Sequence, residues 1–429
     1  MPKHVTSILN ALRPLCLYNG ILGLTIFEMP IGIPWPKLSI LYAVVRSIIY
    51  VYFFWQFRRM SHINYFAIET MITTIRIIHL SNIFIAVVST ILGFKNYKEV
   101  KTFAKKITLA DETLEIFGID PEYKATFDLC MQAIFIWCFG SCVILSSDLA
   151  IAYYYFDDFY DMLVRVLLFQ FPLILNLTNE LNFYLIIYIL GTRFERLNSV
   201  VQSATSSALQ PDDLKNHNKY QNTMKKYINK VTVQPVHYNK NRNNIEFVLR
   251  IVRQLHLDLC AMSREVNDTF SKQLSLQMAA TFLLLTGFGY CTYVVYIDVN
   301  YSLAKKIHHF YTLGIWIAMS IFRIMCVIRV TVNVSEESQK TSQLAHEIQV
   351  SRWQKKITDE IHQISLQIMQ HPLYFTASGL IVLDFGFVRG FVGSVTTYLM
   401  ILIQNEPDMV KAANALVEVS SDNETSSKS

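Results

Sequence analysis

The chain alternates long apolar blocks with polar connections, which is a pattern typical of membrane proteins. A helix of roughly 20 apolar residues spans the hydrocarbon core of a bilayer. The segment 21–33 is too short and too closely flanked by prolines to count as a span. Seven blocks are long enough: 38–57, 70–94, 127–152, 163–190, 274–299, 310–332 and 375–404. The pattern therefore predicts an all-α membrane protein with seven transmembrane helices.

The polar connections are of two kinds. Residues 95–123, 246–272 and 335–370 alternate apolar and charged positions at helical spacing, which predicts helices that continue the spans into the cytosol. Residues 203–244 are rich in Ser, Asn, Gln and Lys and are predicted to form a flexible loop. The predicted organisation is a cytosolic N-terminal segment (1–37), a six-helix transmembrane bundle (38–332), cytosolic anchor helices (333–374), a seventh helix that lines a pore (375–404) and an extracellular tail (405–429).

The charged residues near the span ends predict the orientation. Lys and Arg collect on the second, fourth and sixth connections, whereas the third carries Asp157, Asp158 and Asp161. Cytosolic connections are enriched in Lys and Arg. The even connections are therefore predicted to be cytosolic, although two lysines and two arginines on the first and fifth connections oppose the rule. With seven spans, this places the N-terminus in the cytosol and the C-terminus outside the cell, with the chain in the plasma membrane.

Composition narrows the class further. Apolar residues make up 52% of the chain and charged residues 17%, so a large soluble enzyme is excluded. Motifs such as Gly-x-Gly-Asp, His-Glu-x-x-His and phosphate-binding glycine loops do not occur in the sequence, and we predict no catalytic residue. The seven cysteines lie in or beside apolar spans, which predicts neither a disulfide framework nor a metal site. We also expect no cofactor and no nucleic-acid partner.

The last apolar block carries a polar stripe. Thr397, Met400, Ile401 and Gln404 follow the i, i+3, i+4, i+7 spacing of one helix face, and the opposite face is aliphatic. A membrane helix with this pattern suits a position between lipid or protein and a wetter path. The small residues that precede the stripe, among them Gly390 and Gly393, predict close contact with another helix.

A second group of candidates lies toward the predicted outer ends of the third to sixth spans. Polar and aromatic residues occur there at depths that ordinary packing fills with Leu, and aromatic walls with a few polar groups suit a small-molecule site. Each polar residue could instead bond to a neighbouring helix. The candidate ligand residues are Ser147, Asp148, Gln170, Asn176, Tyr290, Tyr293, Asp298, Thr312 and Trp316.

The C-terminal stripe also resembles a family signature. Thr397 and Tyr398, five apolar residues and Gln404 match the C-terminal pattern of insect gustatory receptors, which are related to the odorant-receptor channels; where that family has phenylalanine after the glutamine, this chain has Asn405. The resemblance implies four subunits around one cation path, with Ile403 joining the pore stripe and Tyr398 and Asn405 acting in gating. It also implies a ligand site in each helical bundle and a place in sensory neurons.

A second resemblance concerns the ligand. Arg193 to Asn198 reads Arg-Phe-Glu-Arg-Leu-Asn, similar to a motif of the fructose-receptor branch, and Trp316 matches a pocket tryptophan of that branch. Leu313 stands where a glutamine is expected, which removes a partner for a sugar hydroxyl. The implied ligand is a sugar, a polyol or a bitter plant compound.

The sequence thus predicts a tastant-gated, poorly selective cation channel, a homotetramer in contact with membrane lipid that could require a co-receptor. The alternative is a seven-helix receptor that signals through a G protein. The predicted inverted orientation argues against that alternative, as does the absence from the sequence of an acidic-Arg-Tyr triplet and of Asn-Pro-x-x-Tyr.

Overall fold

Seven helices of the computed structural model are long and apolar enough to cross a membrane, which confirms the predicted number of spans. The structure describes residues 7–28, 33–60, 69–153, 158–208, 243–297, 302–348 and 355–404. In these ranges the elements are α1 (Ile8–Ala11), α2 (Arg13–Ile21), α3 (Pro36–Met60), α4 (Glu69–Lys95), α5 (Tyr97–Ile116), α6 (Tyr123–Ala152), α7 (Phe159–Ala208), α8 (Asn243–Ile297), α9 (Leu303–His346), α10 (Lys355–Gln370), β1 (Thr376–Ala377), β2 (Ile381–Val382) and α11 (Phe385–Gln404). The seven spans lie on α3, α4, α6, α7, α8, α9 and α11.

Three helices extend well beyond the apolar blocks. The helices α7, α8 and α9 contain 50, 55 and 44 residues, so each continues without a break into a polar extension. The extensions stay helical because they keep an apolar stripe, as with Leu249, Val252 and Leu259, which are buried. The predicted loop 203–244 begins too early, since α7 runs to Ala208; residues 209–242 and the predicted tail 405–429 lie outside the described residues.

The centre of the bundle is α7, which contacts α4, α6, α8 and α9. A helix that is apolar on all sides is stable only when other helices surround it or when lipid does. Leu181, Phe183, Leu185 and Ile187 are fully buried although they point in different directions from the helix axis. The fourth span is therefore enclosed by protein.

An ion pair fixes α7 to α5 near the predicted cytosolic side. Arg193 donates from Nε to Asp111 Oδ1 at 3.0 Å and from Nη2 to Asp111 Oδ2 at 2.9 Å, and both side chains are buried. Such a bidentate ion pair keeps both charges compensated in a medium of low dielectric constant. Removal of either partner would leave a buried charge alone.

The N-terminal helices α1 and α2 pack against α6. Asn19 of α2 and Asn182 of α7 exchange two amide hydrogen bonds of 2.8 Å. The backbone after α2 approaches α4 so closely that a Cβ added to Gly93 would collide with the carbonyl oxygen of Leu24. Only glycine fits this position.

The helix α10 docks on α8 and α9 through one apolar face. Ile357, Ile361, Ile364 and Ile368 recur at helical spacing and are buried. Beside them, the carboxylate of Glu360 accepts hydrogen bonds from two arginines of α8. The described residues of the predicted anchor segment 333–374 thus form the end of α9, the helix α10 and the chain that leads to the hairpin.

The seventh span begins at Phe385, so its predicted start at 375 is wrong. The preceding residues form a hairpin in which Thr376 pairs with Val382 and Ala377 with Ile381. Gly379, at φ +69°, permits the turn. Asp384 then caps α11, because the backbone N–H of Phe387 donates to its Oδ1 at 2.8 Å. Apolar content alone could not distinguish these strands from the helix.

Candidate functional site

Three of the candidate ligand residues meet at the carboxyl group of Asp148 on α6. The indole Nε1 of Trp316, on α9, donates to Asp148 Oδ1 at 2.9 Å. The amide Nε2 of Gln170, on α7, donates to Asp148 Oδ2. One carboxyl group therefore joins three spans and fixes the plane of the indole ring.

A second polar contact lies on the neighbouring residues. Ser147 Oγ donates to Thr312 Oγ1 at 2.9 Å, and both side chains are buried. Because Ser147 precedes Asp148 and Thr312 lies one turn before Trp316, the two contacts form a polar seam between α6 and α9. We call Ser147, Asp148, Gln170, Thr312 and Trp316 the outer polar seam.

Aromatic side chains surround this seam. Trp316 packs edge to face with Phe169 of α7 and Phe288 of α8, at ring-centroid distances of 5.9 and 5.5 Å. Tyr290 is 3% exposed and belongs to the same apolar cluster, against which the partly buried Tyr293 packs. Such a lining can bury a flat ligand, while the seam offers a few oriented polar groups.

One of the predicted ligand residues, Asn176, is not part of this arrangement. Asn176 lies farther along α7, where its Nδ2 donates to the backbone oxygen of Asn82 at 3.1 Å and to the side-chain Oδ1 of Asn82 at 3.2 Å. The structure places it apart from the other candidates, because i+6 from Gln170 turns the side chain toward α4 rather than toward α6 and α9. Asp298 lies outside the described residues.

Sequence reasoning missed His79 of α4, which lies beside the aromatic lining. Its ring stacks on Phe169 at 5.1 Å, and its Nε2 lies 3.5 Å from the hydroxyl of Tyr50. The signal was present, because a histidine within an apolar span needs a partner and is often functional. Phe169 and Phe288 gave no such signal, since phenylalanine is ordinary in a span.

An ion pair between the buried Glu180 of α7 and the partly buried Arg323 of α9 was also missed. Arg323 donates from Nε and Nη2 to the two carboxylate oxygens of Glu180, at 2.8 and 2.6 Å. Opposite charges within two apolar spans predict a pair. The pair joins α7 to α9. Arg323 lies farther from the predicted outer end of α9 than Trp316 does.

The seventh span has a different environment from the others. None of the 20 residues of α11 is buried. Its contact with α8 uses Phe282, whose ring packs edge to face with Phe391 at 5.9 Å and with Tyr398 at 5.4 Å. Leu399 also packs against Gly289, since a Cβ there would lie 3.2 Å from its Cδ2. One face of α11 therefore leans on α8.

The predicted pore stripe lies on the opposite face. Thr397, Met400, Ile401 and Gln404 are exposed in the single chain, and at 100° per residue their mean direction lies about 150° from that of Phe391, Tyr398 and Leu399, which contact α8. Ile403 is half-buried and follows Leu399 by four residues, so it lies closer to the α8 side. Asn405 lies outside the described residues.

The small residues of α11 do not make the helix contact predicted from their pattern within this chain. A Cβ added to Gly390 or Gly393 would meet nothing within 4 Å. Close packing of these residues would require a molecule other than the described chain. The base of the helix is nevertheless fixed, because Thr331 of α9 donates to the backbone oxygen of Leu383 at 2.9 Å.

Comparisons with known proteins identify relatives of this arrangement. A family model described as "7tm Chemosensory receptor" matches residues 12–407. "Putative gustatory receptor 28a" of Drosophila melanogaster is 22% identical over 94% of this chain and 92% of its own length. "Gustatory receptor for bitter taste 66a" of the same species is 25% identical over 43% of this chain, and the match spans 35% of that relative's length.

The fold is also similar to a solved structure. The insect olfactory receptor OR5 from Machilis hrabei superposes with a TM-score of 0.62 at 12% sequence identity, over 92% of this chain and 98% of the receptor. The same receptor in complex with eugenol gives the same TM-score of 0.62. At this identity the likeness establishes the fold.

Proposed function

Because this chain belongs to the 7tm chemosensory receptor family, as an insect gustatory-receptor relative with seven membrane spans, we propose that it is a tastant-gated cation channel. This family consists of receptors rather than enzymes. The proposed channel contains four copies of the chain, with the α11 helices around a common path. Sensory-neuron plasma membrane is the proposed location.

The observation that carries this proposal is the environment of α11. A transmembrane helix with a polar stripe is costly in lipid. The stripe of Thr397 and Gln404 faces away from the rest of its own chain, while the opposite side leans on α8. Four such stripes around an axis would face water. Amide oxygens of Gln404 would replace part of a cation's hydration shell without selecting sharply among cations.

The proposed ligand chamber is the outer polar seam with its aromatic lining. A sugar carries many hydroxyl groups, and each needs a partner on burial. The residues of the outer polar seam donate their hydrogen bonds to one another. Leu313, which lies one turn before Trp316 on the same helix face, is apolar and buried. We therefore favour a flat plant compound with one or two polar groups over a sugar or polyol. One relative is named as a receptor for bitter taste, and the related fold was solved with eugenol.

The decisive experiment is whole-cell recording from cells that express only this chain. The compounds are aromatic plant metabolites, bitter compounds, sugars and polyols, and the variants are Gln404→Ala and Leu402→Ala. Leu402 lies at the same depth as Gln404 but on the side nearer α8. We expect a ligand-evoked current whose cation permeability ratios change in Gln404→Ala and stay unchanged in Leu402→Ala.

If Gln404→Ala and Leu402→Ala both keep the cation permeability ratios of the unmodified protein, the assignment of Gln404 to the pore is contradicted. A response to sugars alone would contradict the ligand class but not the channel. Tags at each terminus in unpermeabilised cells test the proposed orientation, and an external N-terminus would favour signalling through a G protein. If currents appear only when a second receptor is expressed with this chain, the proposed homotetramer is wrong and the channel requires a co-receptor.

A further inference from the structure

A small polar cavity lies among α4, α7, α8 and α9, apart from the outer polar seam. Its lining includes Asn82, Asn176, Gln277, Ala280 and Arg323, and it has room for about one water molecule. Among the described residues, Asn176 Oδ1 and Gln277 Oε1 are buried and without a hydrogen-bond partner. Two buried acceptors left unpaired at one cavity are costly, which indicates that something fills it.

The hydrogen bonds fix which atoms remain unpaired. Asn176 Nδ2 donates to two oxygens of Asn82, at 3.1 and 3.2 Å. Gln277 Nε2 donates to the backbone oxygen of Asn176 at 2.7 Å. Rotating either amide by 180° would place oxygen against oxygen, so both amide orientations are determined by their partners. The free atoms are therefore oxygens, and the occupant must donate.

The lining also limits the charge of the occupant. Arg323 contributes a guanidinium group to the wall, and its carboxylate partner Glu180 is already held by two hydrogen bonds. Glu180 is not part of the lining, so a cation in the cavity would lie nearer to the positive end of this ion pair than to its negative end. A water molecule can donate both hydrogens to the two amide oxygens and still accept a hydrogen bond.

We propose that one water molecule occupies this cavity and bridges Asn176 of α7 to Gln277 of α8. Together with the hydrogen bonds from Asn176 to Asn82, the bridge links α4, α7 and α8 through polar groups. Five residues after Gln277, Phe282 carries the ring that packs on Tyr398 of α11. The bound water therefore fixes α8 to α7 close to the point where α8 supports the seventh span.

The test is a cryo-EM map of the purified protein in lipid nanodiscs, at a resolution that shows ordered water. We expect a density peak about 2.7–3.2 Å from both Asn176 Oδ1 and Gln277 Oε1. The peak must persist when N-methyl-glucamine replaces all sodium and potassium. An empty cavity would overturn the proposal, as would a peak that disappears without those ions, because the occupant would then be a monovalent cation.

A pair of variants provides an independent measurement. Ala280 lines the cavity and is buried, whereas the preceding Ala279 is exposed on the same helix. We expect Ala280→Val to remove the density peak and to lower the unfolding temperature below that of Ala279→Val, since the two oxygens lose their donor. If the peak disappears in Ala280→Val while the two variants unfold at the same temperature, the proposed bridging role of the water is overturned.

Discussion

The helices α7 and α11 are both apolar enough to cross a membrane, yet they have opposite environments. In their most apolar windows, 78% of residues are buried in α7 and 0% in α11. Several polar side chains of α7 bond to other elements: Asn182 to α2, Arg193 to α5 and Glu180 to α9. Those of α11 bond to their own helix, as when Thr397 Oγ1 donates to the backbone oxygen of Gly393 at 2.9 Å.

We interpret this difference as one between a helix held in place by its neighbours, α7, and a helix that can change its neighbours, α11. A polar group within a span that is bonded to another helix fixes the position of both helices. A hydroxyl bonded to its own backbone fixes neither helix, and leaves the helix free to change neighbours. We therefore expect substitutions on α7 to act mainly on folding, and substitutions on α11 to act mainly on ion flow.

The largest effect is expected at the Asp111–Arg193 pair. In Arg193→Met the buried carboxylate loses its partner, at a cost of about 3–5 kcal/mol, which is a large share of a typical folding free energy. Surface biotinylation should show that most of the protein fails to reach the plasma membrane. In the control Asp111→Leu/Arg193→Met neither charge remains, and expression should recover in part. Normal surface levels of Arg193→Met would show that α7 tolerates an unpaired charge.

A matched pair of glycines sharpens the comparison. Gly93→Ala places a methyl group against the carbonyl oxygen of Leu24, whereas Gly390→Ala on α11 meets nothing within 4 Å. We expect Gly93→Ala to destabilise the protein by about 1–3 kcal/mol. Gly390→Ala should be neutral or stabilise it by up to about 1 kcal/mol, through helix propensity.

Thermal unfolding in detergent measures both variants. A destabilising Gly390→Ala in the assembled protein would mean that a second copy packs on that face. Unchanged unfolding of Gly93→Ala would show that the segment after α2 moves away from α4 without penalty.

The contact between α8 and α11 should control gating rather than folding. Aromatic pairs contribute about 0.5–1.5 kcal/mol beyond their buried area, so Tyr398→Leu should shift the half-maximal ligand concentration by about 2- to 10-fold. Cation permeability ratios should stay constant. A shift to lower concentration would assign the Phe282–Tyr398 contact to the closed state, and a shift to higher concentration to the open state. A changed permeability ratio would instead place Tyr398 in the ion path.

The smallest effect on stability is expected for Thr397→Val. The hydroxyl is exposed and bonds only to its own helix, so the free energy of unfolding should change by less than about 0.5 kcal/mol. Single-channel conductance should fall, because the stripe loses a polar group. A large loss of stability with normal conductance would place Thr397 in a subunit contact.

The sequence predicted the seven spans because each span is a long apolar run, and it predicted the helical extensions because their apolar stripe continues at helical spacing. Apolar content alone did not separate the hairpin at 376–382 from the seventh helix, although Ser378-Gly379 is a turn signal and Asp384 a helix-capping signal. The length of α7 was underestimated because polar residues continue the helix beyond the apolar block, through Gly191 and on to Ala208.

For the candidate site, residue type predicted more than position. Ser147 with Thr312, and Asp148 with Gln170 and Trp316, stand out as polar or aromatic groups in apolar spans, and the structure brings them together. Asn176 stands out by the same argument but lies in a different polar cluster, because one sequence does not reveal which helix each face meets. His79 and the Glu180–Arg323 pair could have been found by requiring a partner for every ionisable residue in a span.

The unbroken course of α8 has a mechanical consequence. Its 55 residues span about 80 Å at 1.5 Å per residue, well over twice the thickness of the hydrocarbon core. If this rod pivots near Gln277, a tilt of about 5° displaces the end at Asn243 by about 4–5 Å and the end at Ile297 by about 2–3 Å. A ligand that moves the rod near Phe288 would then shift its predicted cytosolic end against α10 in the opposite sense, so α10 would respond to occupancy of the proposed ligand chamber.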